Sequence, residues 1–461
     1  MKNMTVLELV EGIKAKKFSA TDVVKHYIEV VENNKDYNAV IEVYSDVLDR
    51  AKAIDEKIAN GEKVGKLAGV PVAISDNIVV EGKKTSAASN FLADFVAPYS
   101  ATVVKKLLAE DAIPFVRTNM DEFAVGSSSE YSIYGACKNA IDNTRVAGGC
   151  QGGAAVAVAL DMCPVAIASD TGGSLREPAS FNGVVGIKPS IGTVSRFGLI
   201  ASSFDQIAPI TKTVSDNEYV LKVIAGKDYH DGISVDNKFE SVEVKDTIKL
   251  GLIKEAVVSE KFNNVVEDLK ASGVEFVEVS VPHFDKALAC YYIIASAVTT
   301  SNLAKFDGIK SSKRSENITD LESVYVNSRS EGFGIESKRR IILGNFVLSG
   351  ENLSAYYNQA RKVQNIITNE FNEALKECDA IMLPTTLAEA FKLGEKVNDP
   401  VAMYKEDMFT VPASITGLPA ITVPVDTEDL PIGVQFYTGL YEEEKLYMIA
   451  QKFEDLQRRV K

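Results

Sequence analysis

Residues 145–192 hold the densest set of side chains able to do chemistry, in the run RVAGGCQGGAAVAVALDMCPVAIASDTGGSLREPASFNGVVGIKPSIG. Two glycine-rich turns stand in it, Gly148-Gly-Cys-Gln-Gly-Gly153 and Thr171-Gly-Gly-Ser174. Glycine leaves backbone N–H groups uncovered and lets the chain turn tightly. Uncovered N–H groups of this kind can receive an anion. Glycine pairs also close tight turns in any packed α/β sheet, which is the plainer reading of these residues alone. Phosphate binding does not fit, because no GxGxxG opens a helix and no GK[ST] follows. The five cysteines, Cys137, Cys150, Cys163, Cys290 and Cys378, are odd in number and show no CxxC spacing. Neither a disulfide framework nor a zinc site is expected from them. His26, His230 and His283 lie far apart and near no cysteine, so no metal is expected.

Short apolar runs alternate with helical stretches around this segment. Residues 70–74, 113–117 and 165–168 read as strands, and 100–110 and 152–160 as helices. A βαβ unit follows over 248–279, and further strands over 380–383, 420–423 and 433–437, with a closing helix from about 442. Residues 4–60 read as helix, 336–377 as helices, and 307–325 as an exposed loop or lid. This alternation predicts an α/β fold with a largely buried sheet. The 461 residues are 46% hydrophobic and 25% charged, ordinary values for a soluble globular chain. The formal net charge of −14 repels phosphate, so a role in nucleic-acid chemistry would need another chain to hold the nucleic acid. No apolar run reaches the roughly 20 residues that span a bilayer, and the amphipathic start lacks the core of a signal peptide. A cytoplasmic setting and no membrane contact are expected.

The run Asp170-Thr-Gly-Gly-Ser174, with Arg176, Pro178-Ala-Ser-Phe and Gly183-Val-Val-Gly-Ile-Lys-Pro189, resembles the amidase signature family. Further blocks are similar to the A subunits of glutamyl-tRNA(Gln)/aspartyl-tRNA(Asn) amidotransferases. They include Asn119-Met-Asp-Glu-Phe-Ala-Val-Gly-Ser-Ser128, Tyr291-Tyr-Ile-Ile-Ala, Glu336-Ser-Lys-Arg-Arg-Ile-Ile-Leu-Gly344 and Asp407-Met-Phe-Thr-Val-Pro. The resemblance implies an α/β/α fold, a single amidase-signature domain over 61–461 with a mixed central β-sheet flanked by helices, after an N-terminal helical segment over 1–60. It implies hydrolysis of the glutamine amide to supply ammonia for transamidation, by a triad of Lys, a Ser joined by a cis peptide, and a nucleophilic Ser. Ser174 matches the nucleophile, Thr171, Gly172 and Gly173 the oxyanion loop, and Tyr291, Arg340 and Asp407 the groups that hold glutamine. The implied partners are a B-like transamidase protein and a small C-like protein of the same assembly, with tRNA reached only through the partner. No cofactor is implied in this chain; ATP and Mg would belong to the transamidase partner.

The match breaks at the other two triad positions. Ser75, in Pro71-Val-Ala-Ile-Ser-Asp-Asn77, holds the Lys position, and Cys150 holds the cis-Ser position, with Gln151 following where the family has a second Ser. Ala140, Ala147 and Ala154 stand where the family pattern has Pro, Pro and Ser. A serine hydroxyl needs a base to take its proton, and removing one member of such a unit costs on the order of 10⁴- to 10⁶-fold in rate. If Cys150 attacked instead, its thiolate would need a cation, for which Lys83, Lys84 and Arg145 are the candidates. Ser174 is expected on a turn at the sheet's edge, facing Cys150 and Ser75. Reverting Ser75 to Lys and Cys150 to Ser together is expected to restore proton transfer. Besides an active amidotransferase component, the substitutions leave open a catalytically inactive paralogue that binds or assembles, and a stand-alone amidase.

Overall fold

Apolar runs of four to six residues, too short for buried helices and bounded by turns, assemble here into one sheet. The computed structural model describes residues 1–200, 204–236, 239, 247–310, 312–425 and 429–459. Its strands are β1 (Val40–Val43), β2 (Pro71–Ser75), β3 (Ile113–Thr118), β4 (Val165–Asp170), β5 (Val185–Lys188), β6 (Gln206–Thr211), β7 (Lys249–Ile253), β8 (Glu275–Val279), β9 (Ala380–Pro384), β10 (Ala420–Val425) and β11 (Ile432–Tyr437). They form one mixed sheet in the order β1-β3-β2-β4-β6-β5-β10-β11-β9-β7-β8. Every residue of β2, β3, β4, β5 and β6 is buried, so helices cover both faces of that half of the sheet.

The strands expected at 70–74, 113–117, 165–168 and in the C-terminal third form, and β7 and β8 pair in parallel as the βαβ reading requires. Three strands were not expected. β1 is four residues between two helices, β5 sits among glycines, and β6 carries Pro209, so none shows a clear period. Residues 4–60 therefore hold three helices, Val6–Lys14, Ala20–Asn33 and Val47–Ala59, and also β1, which pairs antiparallel with β3. Capping boxes at Thr5/Glu8 and Ser19/Asp22 start the first two helices. Val6, Leu9, Val23 and Tyr27 pack in the same core as Val72, Ile113 and Val165. The loop reading of 307–325 ends early, because Asp320 caps a helix over Leu321–Gly332. Among the described residues, no helix is long and apolar enough to cross a membrane.

β2 and β4 are parallel neighbours, with Val72 opposite Val165 and Ile74 opposite Ile167. Their carboxyl ends therefore deliver Ser75 and the Asp170–Ser174 turn to one rim of the sheet, where open α/β sheets place their sites. β4 is interior in the strand order, so the turn rises from the middle of the sheet and not from an outer strand.

One buried ion pair closes this turn. Arg176, with no exposed surface, donates from Nε to Asp170 Oδ2 at 2.9 Å and from Nη2 to Asp170 Oδ1 at 3.0 Å. Its remaining donors reach Gln435 Oε1 at 3.0 Å and the Thr410 carbonyl at 2.9 Å. The pair thereby joins the end of β4, the helix Arg176–Asn182, β11 and the segment after Asp407. Lys188, on β5, is buried beside this pair and donates to the Pro189 carbonyl at 3.0 Å. Burial, and then the Arg176 charge, pull its ammonium down to about 7.

Two outcomes follow for stability. Arg176→Met strands the Asp170 carboxylate and is expected to lower the unfolding free energy by about 3–5 kcal/mol, read from urea denaturation. A loss below about 1 kcal/mol would show that the pair does not hold the turn. The depressed pKa of Lys188 means that the unfolded chain binds more protons than the native one between about pH 7 and the ordinary lysine range. Stability from this group is therefore full above that range and is lost as pH falls through about 7. The urea midpoint should rise from pH 7 to pH 9, and Lys188→Met should flatten that rise.

Candidate active site

The turn after β4 is shaped by contacts on both sides of it. Gly173 has φ +128°, and a Cβ there would come within 2.2 Å of Thr410 Oγ1; a Cβ on Gly172 would come within 2.4 Å of the Tyr291 ring. Only glycine fits either position. Thr410 Oγ1 donates to the Gly172 carbonyl at 2.6 Å, and Thr171 Oγ1 donates to Asp205. The Gly173 N–H is held by Asp170 Oδ1 at 3.0 Å, which takes it out of the expected oxyanion set. The N–H groups of Gly172 and Ser174 have no protein acceptor among the described residues. They are the two best placed to receive an oxyanion, since Gly172 and Ser174 both line the cavity described below.

Cys150 lies beside Ser174. Its Sγ is 3.3 Å from the Gly126 carbonyl, and its neighbours Ala88, Met120 and Ala124 are apolar. Burial first, then Asp121, hold the thiol well above its ordinary range, so it is neutral at physiological pH. The three cations that could have activated it are engaged elsewhere. Lys83 pairs with Asp46 at 2.6 Å, Lys84 with Asp94 at 3.5 Å, and Arg145 with Asp142 at 3.0 Å. Every peptide bond among the described residues is trans, including that of Cys150.

Ser75 does not face Ser174 directly. Its Oγ donates to Gln151 Oε1 at 2.5 Å and lies 3.5 Å from Met120 Sδ. Gln151 Nε2 donates to Ser169 Oγ at 3.1 Å, and Asn77 Nδ2 donates to the same oxygen at 3.0 Å. The Gln151 backbone N–H in turn donates to the Ser174 carbonyl at 3.0 Å. A neutral, buried hydrogen-bond chain therefore fills the space between β2 and the Ser174 turn. None of its members is basic at neutral pH.

Tyr291, Arg340 and Asp407 converge with Ser174 on one cavity, also lined by Gly126, Gly149, Thr171 and Gly172. Arg340, on the helix Ile335–Leu348, donates from Nε to Glu336 Oε1 at 2.7 Å, and its guanidinium lies 4.5 Å from the Tyr292 and Tyr404 ring centres. Its Nη1 and Nη2 make no hydrogen bond among the described residues. Asp407 Oδ2 accepts from Ser127 Oγ at 3.1 Å and from Tyr292 OH. Burial raises the Asp407 carboxyl to about 6, against the pull of Tyr292 and Arg340. Glu177, in the first turn of the helix after Ser174, is pushed well above the carboxylate range by burial and then by Asp407. The cavity measures about 20 Å³, room for one water. A ligand larger than water therefore enters only when side chains move.

Sequence reasoning missed Tyr292, Ser127, Glu336, Glu177 and the role of Gln151. Tyr291 and Tyr292 are consecutive, and the helix sends the first to the Gly172 wall and the second to Asp407 and Arg340. The doubled Tyr was the available signal for Tyr292, and the Gln beside Cys150 the signal for Gln151. Among the described residues, no group of three or more His, Cys, Asp or Glu could hold a metal ion.

Known proteins are similar to this one over nearly the whole chain. The glutamyl-tRNA(Gln) amidotransferase A subunit 2 of Clostridium acetobutylicum is 46% identical, covering 98% of both chains. The glutamyl-tRNA(Gln) amidotransferase A subunit of Thermoanaerobacter pseudethanolicus is 44% identical, over 98% of this chain and 96% of that one. The crystal structure of the glutamyl-tRNA(Gln) amidotransferase A subunit from Thermotoga maritima superposes with a TM-score of 0.81 at 35% identity, covering 98% of this chain and 94% of that chain. Residues 22–447, which contain every group of the cavity and of the neutral chain beside it, match the family model described as Amidase, and the chain belongs to that family.

Proposed function

We propose that this chain is the A-type component of a tRNA-dependent amidotransferase assembly and binds glutamine, or a similar amino-acid amide, beside Ser174. The observation that carries the reading is the convergence on one cavity of a hydroxyl, two N–H groups without acceptors, a guanidinium with free terminal nitrogens, and a carboxylate. Arg340 Nη1 and Nη2 would take the α-carboxylate in two parallel hydrogen bonds. Asp407 would take the ammonium, and Tyr291 would form the wall against the amide. Ser174 Oγ would attack the amide carbon, and the N–H groups of Gly172 and Ser174 would hold the oxyanion until ammonia leaves. A B-like transamidase protein and a small C-like protein would complete the assembly in the cytoplasm, and the transamidase partner would bind tRNA, ATP and Mg. The −14 charge of this chain accords with that division.

A second reading has its own observation. The neutral Ser75–Gln151–Ser169 chain supplies no acceptor for the Ser174 proton. On this reading the protein binds the amide and its partners without turnover, and the assembly draws on free ammonia.

Calorimetry with glutamine tests the first claim. Binding should be seen in the wild type and weaken about 10- to 100-fold in Arg340→Ala, the loss expected for a charge-assisted pair. No binding in the wild type would sink it. The ammonium contact requires ionised Asp407, so affinity should be level above pH 7 and fall about tenfold per unit below about pH 6. Glutamine hydrolysis, measured with the transamidase partner present, separates the two readings. Turnover that disappears in Ser174→Ala supports the amidase, and wild-type turnover equal to Ser174→Ala supports the binding-only reading.

A further inference from the structure

Gln151 is the residue around which the rebuilt site is organised. Its carboxamide is held at both ends, by the Ser75 hydroxyl at 2.5 Å and by Ser169 at 3.1 Å, while its own backbone N–H braces the Ser174 turn at 3.0 Å. It has no exposed surface. The polar groups around it are not all matched to it. Thr118 is the register partner of Ser75, and Thr118 Oγ1 is buried with no hydrogen-bond partner. Asn77 Oδ1 is likewise buried and without a partner, although its Nδ2 reaches the same Ser169 oxygen as Gln151. Buried acceptors left unmet are rare and destabilising. Two of them at the end of β2 fit a place that would hold a donor-rich amine head group better than an amide.

We infer that Gln151 is the positioning residue that keeps Ser174 idle, because its carboxamide occupies the path along which an amine from position 75 would reach the Ser174 hydroxyl. This rests on the second reading above, in which Ser174 holds the nucleophile position but has no base, and is independent of glutamine as the ligand. It predicts, against the expectation stated above, that two reversions do not suffice. With Gln151 in place, the longer side chain of Ser75→Lys must push into a filled, close-packed site. Gln151→Ser clears the path and leaves the Asn77 and Thr118 oxygens to hold the amine.

The test reads the nucleophile directly. A fluorophosphonate probe is attacked by Ser174 Oγ; the O–P bond forms, fluoride leaves, and the hydroxyl proton passes to the introduced amine. Labelling is followed by intact mass, with Ser174→Ala as the blank. Wild type, Ser75→Lys and Ser75→Lys/Cys150→Ser should label no faster than the blank. Adding Gln151→Ser to the last should raise the rate at least about 10²-fold, the ordinary contribution of a general base. That rate should climb with pH to a plateau as the amine loses its proton, a profile that a purely structural role for Gln151 would not produce. Equal labelling with Gln151 or Ser at position 151 would overturn the inference. Thermal melts give a second readout. Ser75→Lys should lower the Tm more with Gln151 present than with Gln151→Ser. Unfolding only in the Gln151 background supports the overlap. Equal losses, or failure to fold in both backgrounds, would overturn it. If labelling is restored while glutamine is neither bound nor hydrolysed, the inference stands and the glutamine reading falls.

Discussion

The buried Asp170–Arg176 pair is the constraint on which the rest of the site depends. A carboxylate and a guanidinium with no exposed surface are tolerable only when every donor and acceptor is matched. Here the matching is done by the site's own framework. Asp170 also accepts the N–H groups of Gly173 at 3.0 Å and Arg176 at 3.2 Å. Arg176 also reaches β11 through Gln435 and the segment after Asp407 through the Thr410 carbonyl. Satisfying one buried charge pair thus fixes the Ser174 turn and the segment that follows Asp407 in the same geometry. Gln435 extends the tie, donating to the carbonyls of Pro384 at 2.9 Å and Phe409 at 2.7 Å.

Against this charged frame, the place expected to hold a base is neutral. Ser75, Gln151, Ser169 and Asn77 form a hydrogen-bonded chain in which no member carries charge, so the desolvation that a buried ammonium would suffer is absent. Cys150 fits the same pattern. Its neutral thiol rests among Ala88, Met120 and Ala124, and tolerates burial far better than a thiolate would. The substitutions at 75, 150 and 151 therefore act together. They form a packed neutral core beside the Ser174 turn and its charged clamp.

The wall of the cavity formed by Arg340 and Asp407 is charged, and aromatic rings help it to be so. Arg340 is buried, yet it is neutralised by Glu336 and lies 4.5 Å from the centres of two tyrosine rings. Tyr404 closes the group by donating to Glu336 at 2.7 Å. These contacts use Nε and the faces of the guanidinium and leave its terminal nitrogens free. Asp407 is held in the same way by Tyr292 and Ser127. The cavity thus carries a buried cation and a buried carboxylate, each oriented and each only partly satisfied.

Read alone, the sequence determined the α/β class, most strands, and the residues that meet at the cavity. The signals behind these are local: apolar runs of strand length, and motifs that fix both residue type and spacing. It also showed that Ser75 offers no base at neutral pH, because that conclusion needs only side-chain chemistry. Tertiary structure decided the rest. β1, β5 and β6 owe their state to strand partners distant in sequence and not to their own periodicity. That Gly173 gives its N–H to Asp170, that Tyr292 and not Tyr291 holds Asp407, and that Lys83, Lys84 and Arg145 are engaged elsewhere are all facts of side-chain direction. Gln151 is the clearest case. In the chain it is one residue after Cys150, and only the packing of the helix Gly152–Ala159 against β2 brings Ser75, 76 residues earlier, within 2.5 Å of its amide.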